Sequence, residues 1–183
     1  MLFRSRGPRE LTSNRPIKTP DDLDGLRIRV PNVPLFVDTW KALGARPTPM
    51  AFSEVFTALQ QNTIEAQENP LSLIESASFN EVQKYVDMTD HVRSWIYVVI
   101  GKQKLESMPA DLQQVVREAA SQMQSYEETL FAADQKRLEQ ALKDKGMTFV
   151  EVDQAAFAKQ AKPAVLDALN DEQRALYQEI QAL

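Results

Sequence analysis

The sequence predicts an α/β protein, a sheet with crossover helices, on three observations. Through the first hundred residues, short segments of alternating apolar residues trade places with segments of helical spacing. "WIYVVIG", residues 95–101, is a continuous apolar run of the kind found in a strand covered on both faces. Residues 109–145 hold no glycine and a single proline, at the start, and repeat Leu112, Val116, Ala119, Met123, Tyr126 and Leu130 at helical intervals.

Residues 1–18 mix arginines with two prolines and show no period, so a loop is expected there. "TPDDLDG" then offers Thr19 as N-cap, Pro20 at the first helical position, Asp22 three residues after the cap and Gly25 as terminator, a single helical turn. Residues 26–31 read as a strand in which Leu26, Ile28 and Val30 alternate with Arg27 and Arg29. Asn32 is expected to cap a helix with Phe36, Trp40 and Leu43 on one face, stopped by Gly44. "RPTPMAF" is a short extended piece, and Ser53 opens a second helix with Val55 and Leu59 inward. "TIEAQEN" returns as a strand with Ile64 and Ala66 alternating, and a further helix is expected over 70–82, with His91 in a loop beside Asp90.

As one helix, residues 109–145 reach roughly 55 Å, more than one lobe of this size spans. The stretch therefore bridges something, or it breaks into two antiparallel helices. After Gly146, "MTFVEV" reads as a strand, followed by two short amphipathic helices parted near Pro163 and Asn170.

Composition removes several classes of function. The 183 residues, 43% hydrophobic, suffice for a sizeable core. A balance of 21 basic against 26 acidic residues, net charge -5, speaks against a nucleic-acid partner. No apolar stretch approaches the roughly 20 residues of a membrane-spanning helix, and "MLFRSRGPRE" lacks the apolar core of a signal peptide. The absence of cysteine rules out disulfides and thiolate chemistry, and the single histidine rules out a histidine pair for a metal. No glycine-rich phosphate loop or nucleophile elbow appears, and Glu65, Glu68 and Glu75 read as separate solvated carboxylates. Nothing in the pattern calls for a metal or cofactor, and an enzyme is not predicted.

What remains is a set of groups suited to an anion. Arg29 lies in a strand that would be buried, and an unpaired buried charge is very costly. Asn32 follows that strand at a helix N-terminus, and Asn69 closes the next strand. In open α/β sheets ligands gather at the carboxyl ends of strands, and the arginine fork matches a carboxylate. Each residue also has an ordinary reading: Arg29 ion-paired at a surface, Asn69 as a turn former, Phe52 as core.

The run from Ile17 through "KTPDDLDGLRIRVPNVPLFVDTWKALGARPTPMAFSEVFTALQQNTIEAQENPL", with "FNEVQKYVDMTDH" and "MPADLQQVVREAA" after it, closely resembles the solute-binding subunits of tripartite ATP-independent periplasmic (TRAP) transporters. The resemblance implies a periplasmic-binding-protein-like, type II-like two-lobed clamp. Such a clamp closes on a small carboxylate (a dicarboxylate, sugar acid or keto acid) and delivers it to TRAP membrane permease subunits. It also implies a long helix crossing both lobes and a periplasmic location. Carried over by residue, Arg29 of "RVP" meets the ligand carboxylate, Phe52 of "PMAF" lines the pocket and Asn69 of "QENP" hydrogen-bonds the ligand. Arg9 supplies a second arginine, although Pro8 stands where an aromatic is usual, and Asn32 touches the ligand in some members. By the same resemblance, residues 1–104 form the second, ligand-binding lobe and 105–146 the bridging helix. Residues 147–183 would pack on a first lobe absent from an N-terminally truncated chain. Surface left bare by that lobe is expected to favour self-association, and a sensor or binding module of the same fold, or a non-functional fragment, is the alternative to transport.

Overall fold

The computed structural model describes residues 2–182. Its elements are β1 (Leu2–Ser13), β2 (Arg27–Val30), α1 (Pro34–Ala42), β3 (Arg46–Pro49), α2 (Val55–Gln60), β4 (Ala66–Pro70), α3 (Leu71–Ser76), β5 (Tyr85–Val98), α4 (Lys102–Glu106), α5 (Ala110–Asp144), β6 (Thr148–Val150), α6 (Gln154–Asp167) and α7 (Asp171–Gln181). Single 3-10 turns stand at Pro20–Leu23, Phe52–Glu54 and Phe79–Glu81. The strands form one mixed sheet of six in the order β3-β2-β4-β1-β5-β6. β2 runs parallel to β3 and β4, β1 antiparallel to β4 and β5, and β6 parallel to β5.

Period-two alternation sorts the core onto the two faces of this sheet. Leu11, Ile28 and Val30 pack with Trp40 and Leu43 of the α1 region and Phe157 of α6. Val86, one position away from Leu11's partner Asp87 and so on the other face, packs with Leu59, Ile74, Leu138 and Leu142. α5 is a single helix of 35 residues, roughly 52 Å long. Its continuity rules out the antiparallel pair of helices, and only its C-terminal Leu138 and Leu142 are buried.

The structure corrects several local readings. Residues 2–13 are strand, not loop, because β4 and β5 supply backbone partners that a local pattern does not reveal. The run Trp95–Ile100 is not covered on both faces: its residues are 42–72% exposed, since only the first residues of β1 lie beside it. Val33, not Asn32, is the N-cap of α1, with Pro34 fixing the first turn. The helix expected over 70–82 ends at Ser76, followed by a left-handed Ser78 at φ 55°. α6 continues through Pro163. The strand after Gly146 pairs with β5 as β6, and Met147 and Val150 are buried.

Candidate functional site

Three neighbouring strands bring Arg29, Asn69 and Arg9 to one end of the sheet. Arg29 sits near the carboxyl end of β2, paired with Gln67 of β4. Asn69 lies near the carboxyl end of β4, and antiparallel β1 sets Arg9 opposite Pro70.

Alternation determines the fate of the two strand arginines. Arg27 is exposed and meets Glu65, Nε to Oε2 at 3.1 Å. Arg29 is 5% exposed and donates from Nε (3.0 Å) and Nη2 (2.7 Å) to the Met50 carbonyl. Its guanidinium carbon lies 6.0 Å from the centroid of the Phe52 ring, which itself packs edge-on against Phe79. Burial pulls the Arg29 pKa below its ordinary value; the Glu68 charge opposes that shift and the Arg9 charge adds to it. Among the described residues Arg29 has no carboxylate within ion-pair distance.

Arg9 is anchored differently. Its Nε donates to Glu68 Oε2, and its Nη2 reaches Glu68 Oε1 (2.8 Å), the Glu68 carbonyl (2.7 Å) and Asn69 Oδ1 (3.0 Å). The guanidinium also lies over the Phe36 ring, 5.5 Å from its centroid. Asn69 Nδ2 donates to Gln67 Oε1 at 2.6 Å, and Gln67 Nε2 to Thr12 Oγ1 at 2.8 Å, so the amide is held at both ends. Phe52 is 40% exposed at the rim of this end of the sheet. Asn32 is exposed in the turn after β2 and outside this hydrogen-bonded set.

Two members of the set escaped sequence reasoning. Glu68, read as a solvated carboxylate, is fully buried. Burial alone would raise its pKa, but hydrogen bonds and charge from His91 and Arg9 hold it below the usual carboxylate value. His91, expected in a loop, lies within β5 with Nε2 3.0 Å from Glu68 Oε2 and Nδ1 2.8 Å from Thr89 Oγ1. A carboxylate only accepts, so Nε2 carries the proton. The available signal was the place of Glu68 beside Asn69 at the end of a strand, since a charge that a sheet buries needs a partner. A cavity of about 680 Å³ opens on the α1 side, lined by Phe36, Trp40, Thr89, His91, Phe157 and Tyr177. Arg29, Phe52 and Asn69 lie outside it.

In charge, two guanidiniums face one carboxylate, leaving one positive unit within the cluster uncompensated. In chemistry such an arrangement is suited to an anion, and both nitrogens of His91 are already engaged.

Comparison with known proteins places this geometry in a family. The model of the bacterial extracellular solute-binding proteins, family 7, matches residues 2–172. A solute-binding protein of Roseobacter denitrificans is 56% identical over 180 residues, 98% of this chain and 55% of that protein. The 2,3-diketo-L-gulonate-binding periplasmic protein of Escherichia coli is 36% identical over 179 residues, 97% of this chain and 52% of its own length. The crystal structure of a TRAP periplasmic solute-binding protein from Roseobacter denitrificans with bound L-galactonate matches with a TM-score of 0.84 at 56% identity, over 97% of this chain and 59% of that one. One from Chromohalobacter salexigens with bound D-glucuronate matches with a TM-score of 0.88 at 30% identity, over 98% and 61%. The chain thus spans about half the length of the curated relatives it matches. The fold match and the family match agree: the chain belongs to the DctP-type family 7 of bacterial extracellular solute-binding proteins, the solute-binding proteins of TRAP transporters.

Proposed function

We propose that this chain supplies the carboxylate-anchoring lobe of a periplasmic solute-binding protein. In that reading Arg29 receives the carboxylate of a sugar acid, keto acid or dicarboxylate, and the loaded protein delivers it unchanged to a membrane permease. The observation that carries the reading is the buried Arg29 guanidinium without a carboxylate partner among the described residues, beside an Arg9 already neutralised by Glu68. A buried charge left unpaired is strongly unfavourable, and a ligand carboxylate relieves it through the planar fork. Asn69 and Arg9 line the same end of the sheet, Phe52 closes its rim, and Asn32 stands where a ligand extending past β2 would meet it. The acids named for the relatives, L-galactonate, D-glucuronate and 2,3-diketo-L-gulonate, are all polyhydroxylated carboxylates.

The test is an NMR titration of the ¹⁵N-labelled chain with L-galactonate, D-glucuronate, succinate and, as a neutral counterpart, galactitol. Shifts confined to Arg29, Asn69 and their neighbours, produced by at least one acid and not by the polyol, are expected. Equal response to the acid and the polyol, or shifts elsewhere, would overturn the proposal. The affinity of this chain is expected to be weak, because a clamp also draws contacts from its opposite lobe.

A further inference from the structure

β1 and β5 lose register beside the proposed site. From Arg9 to Leu11, β1 advances two residues while its partner runs from Val92 back to Asp87, so three surplus residues of β5 bulge out opposite Glu10. Within the bulge Asp90 has φ 42°, a left-handed conformation that a non-glycine residue holds only where its surroundings fix it. Glu10 supplies that fixture: its buried Oε2 accepts the Asp90 N–H at 2.8 Å. The Asp90 carboxylate meanwhile accepts from Arg93 Nε at 2.9 Å, which orients the other side of the same residue. The next residue is His91, bonded to Glu68, and Glu68 holds Arg9.

We infer that Glu10 is a positioning residue for the carboxylate site: by holding the Asp90 amide it shapes the bulge that presents His91 to Glu68, and thereby sets the Arg9 guanidinium. The functional half of this inference rests on Arg9 as a ligand anchor; the half that concerns His91 does not.

Glu10 holds this position at a cost to stability. Burial, with the charges of Asp90 and Glu151, pushes its pKa up to about 7, against the lowering effect of the Asp90 N–H and of Arg93. A buried carboxylate with its charge so disfavoured weakens the folded state at neutral pH. A glutamine would fill the space and still accept the amide without that cost. The groups facing Glu10 are therefore Asp90 and Arg93 on β5 and Glu151 after β6, with His91, Glu68 and Arg9 further along the relay.

His91 is the single histidine of the chain, so its ring signals are unambiguous in a ¹⁵N–¹H spectrum. Two variants separate positioning from bulk stability. Glu10→Asp shortens the reach by one carbon and takes the acceptor away from the Asp90 amide; Glu10→Gln keeps an acceptor in place. In folded Glu10→Asp the His91 Nε2–H is expected to exchange about tenfold faster, the size of one lost hydrogen bond, with Glu10→Gln close to wild type. A His91 signal unchanged in Glu10→Asp overturns the inference. If Glu10→Asp does not fold, the pH dependence of Glu10→Gln decides. In the wild type the Asp90 amide shift and the His91 Nε2–H exchange rate change together as Glu10 gains its proton. In Glu10→Gln that shared step is expected to vanish, and its persistence overturns the inference. L-Galactonate binding is read separately: absence of binding in the wild type counts against the proposed function alone, whereas the His91 signals still decide the role of Glu10.

Discussion

Arg29 and Arg9 share a charge and one end of the sheet, yet they differ in what neutralises them, and that difference sets their expected behaviour. Arg29→Lys keeps the charge and loses the planar fork aimed past Met50, so acid binding is expected to weaken by about 2 to 5 kcal/mol. Calorimetric or NMR affinities unchanged by that substitution would remove Arg29 from the site. The buried carboxylates make a second prediction, in pH. Glu10 and Asp87 have folded pKa values raised mainly by burial, to about 7 and about 6 from ordinary values of 4.5 and 3.8. Their share of stability is complete below those ordinary values and is lost as pH rises through about 6 to 7. Glu68 is lowered, so its share is present above 4.5 and is lost as pH falls. Urea midpoints are therefore expected to peak at about pH 5 and decline toward pH 8, with Asp87→Asn flattening the first part of the decline. A midpoint that climbs steadily from pH 5 to 8 would contradict this. Arg29 was legible in the sequence because strand alternation flags a charge among aliphatic residues. Glu68 and His91 were not, since their significance lies in a meeting across 23 positions that no local pattern encodes.

Helices and strands differ in how far their burial could be anticipated. The length of α5 could be read from its lack of breakers, but the depth at which each turn packs could not. Met123, Tyr126 and Leu130 have helical spacing and are exposed, while Leu138 and Leu142 are sealed against the sheet. Leu138→Ala is accordingly expected to cost about 2 to 5 kcal/mol in chemical denaturation, against a few tenths for Met123→Ala. Comparable losses at the two positions would mean that the exposed half of α5 is packed after all. β1 carries a similar lesson. Its proline and arginines conceal a strand because Pro8 falls at a register shift and Gly7 next to it has φ +79°. A Cβ at Gly7 would come within 3.2 Å of Phe131 Cζ on α5. Gly7→Ala thus combines a left-handed backbone with a close contact, and a loss of about 1 to 2 kcal/mol is expected in the same assay.

At the scale of the whole molecule, the exposed apolar residues are not scattered. Trp95, Ile96, Tyr97, Val98, Val99 and Ile100 follow one another along the end of β5, and Leu112, Met123, Tyr126 and Leu130 recur along α5. Exposed apolar residues concentrated in this way are rarely left bare in a monomer. The isolated chain is expected to self-associate through it, with sedimentation velocity giving a mass that rises with concentration; a single monomeric boundary throughout would refute this. The α/β class was readable from alternation alone, whereas the outward face of "WIYVVIG" was not, because hydrophobicity does not say which surface it will meet.

The outer part of the β1–β5 pairing has a mechanical consequence. From Ser5 and Trp95 outward the two strands have only each other, while the wider sheet begins near Arg9. A two-stranded ribbon is more easily twisted than a broad sheet. Four residues of strand reach roughly 13 Å, so a bend of about 10° at its root sweeps the tip by about 2 Å. Such a ribbon is expected to behave as a springboard rooted in the broad sheet, its free end yielding before any rung of that sheet does.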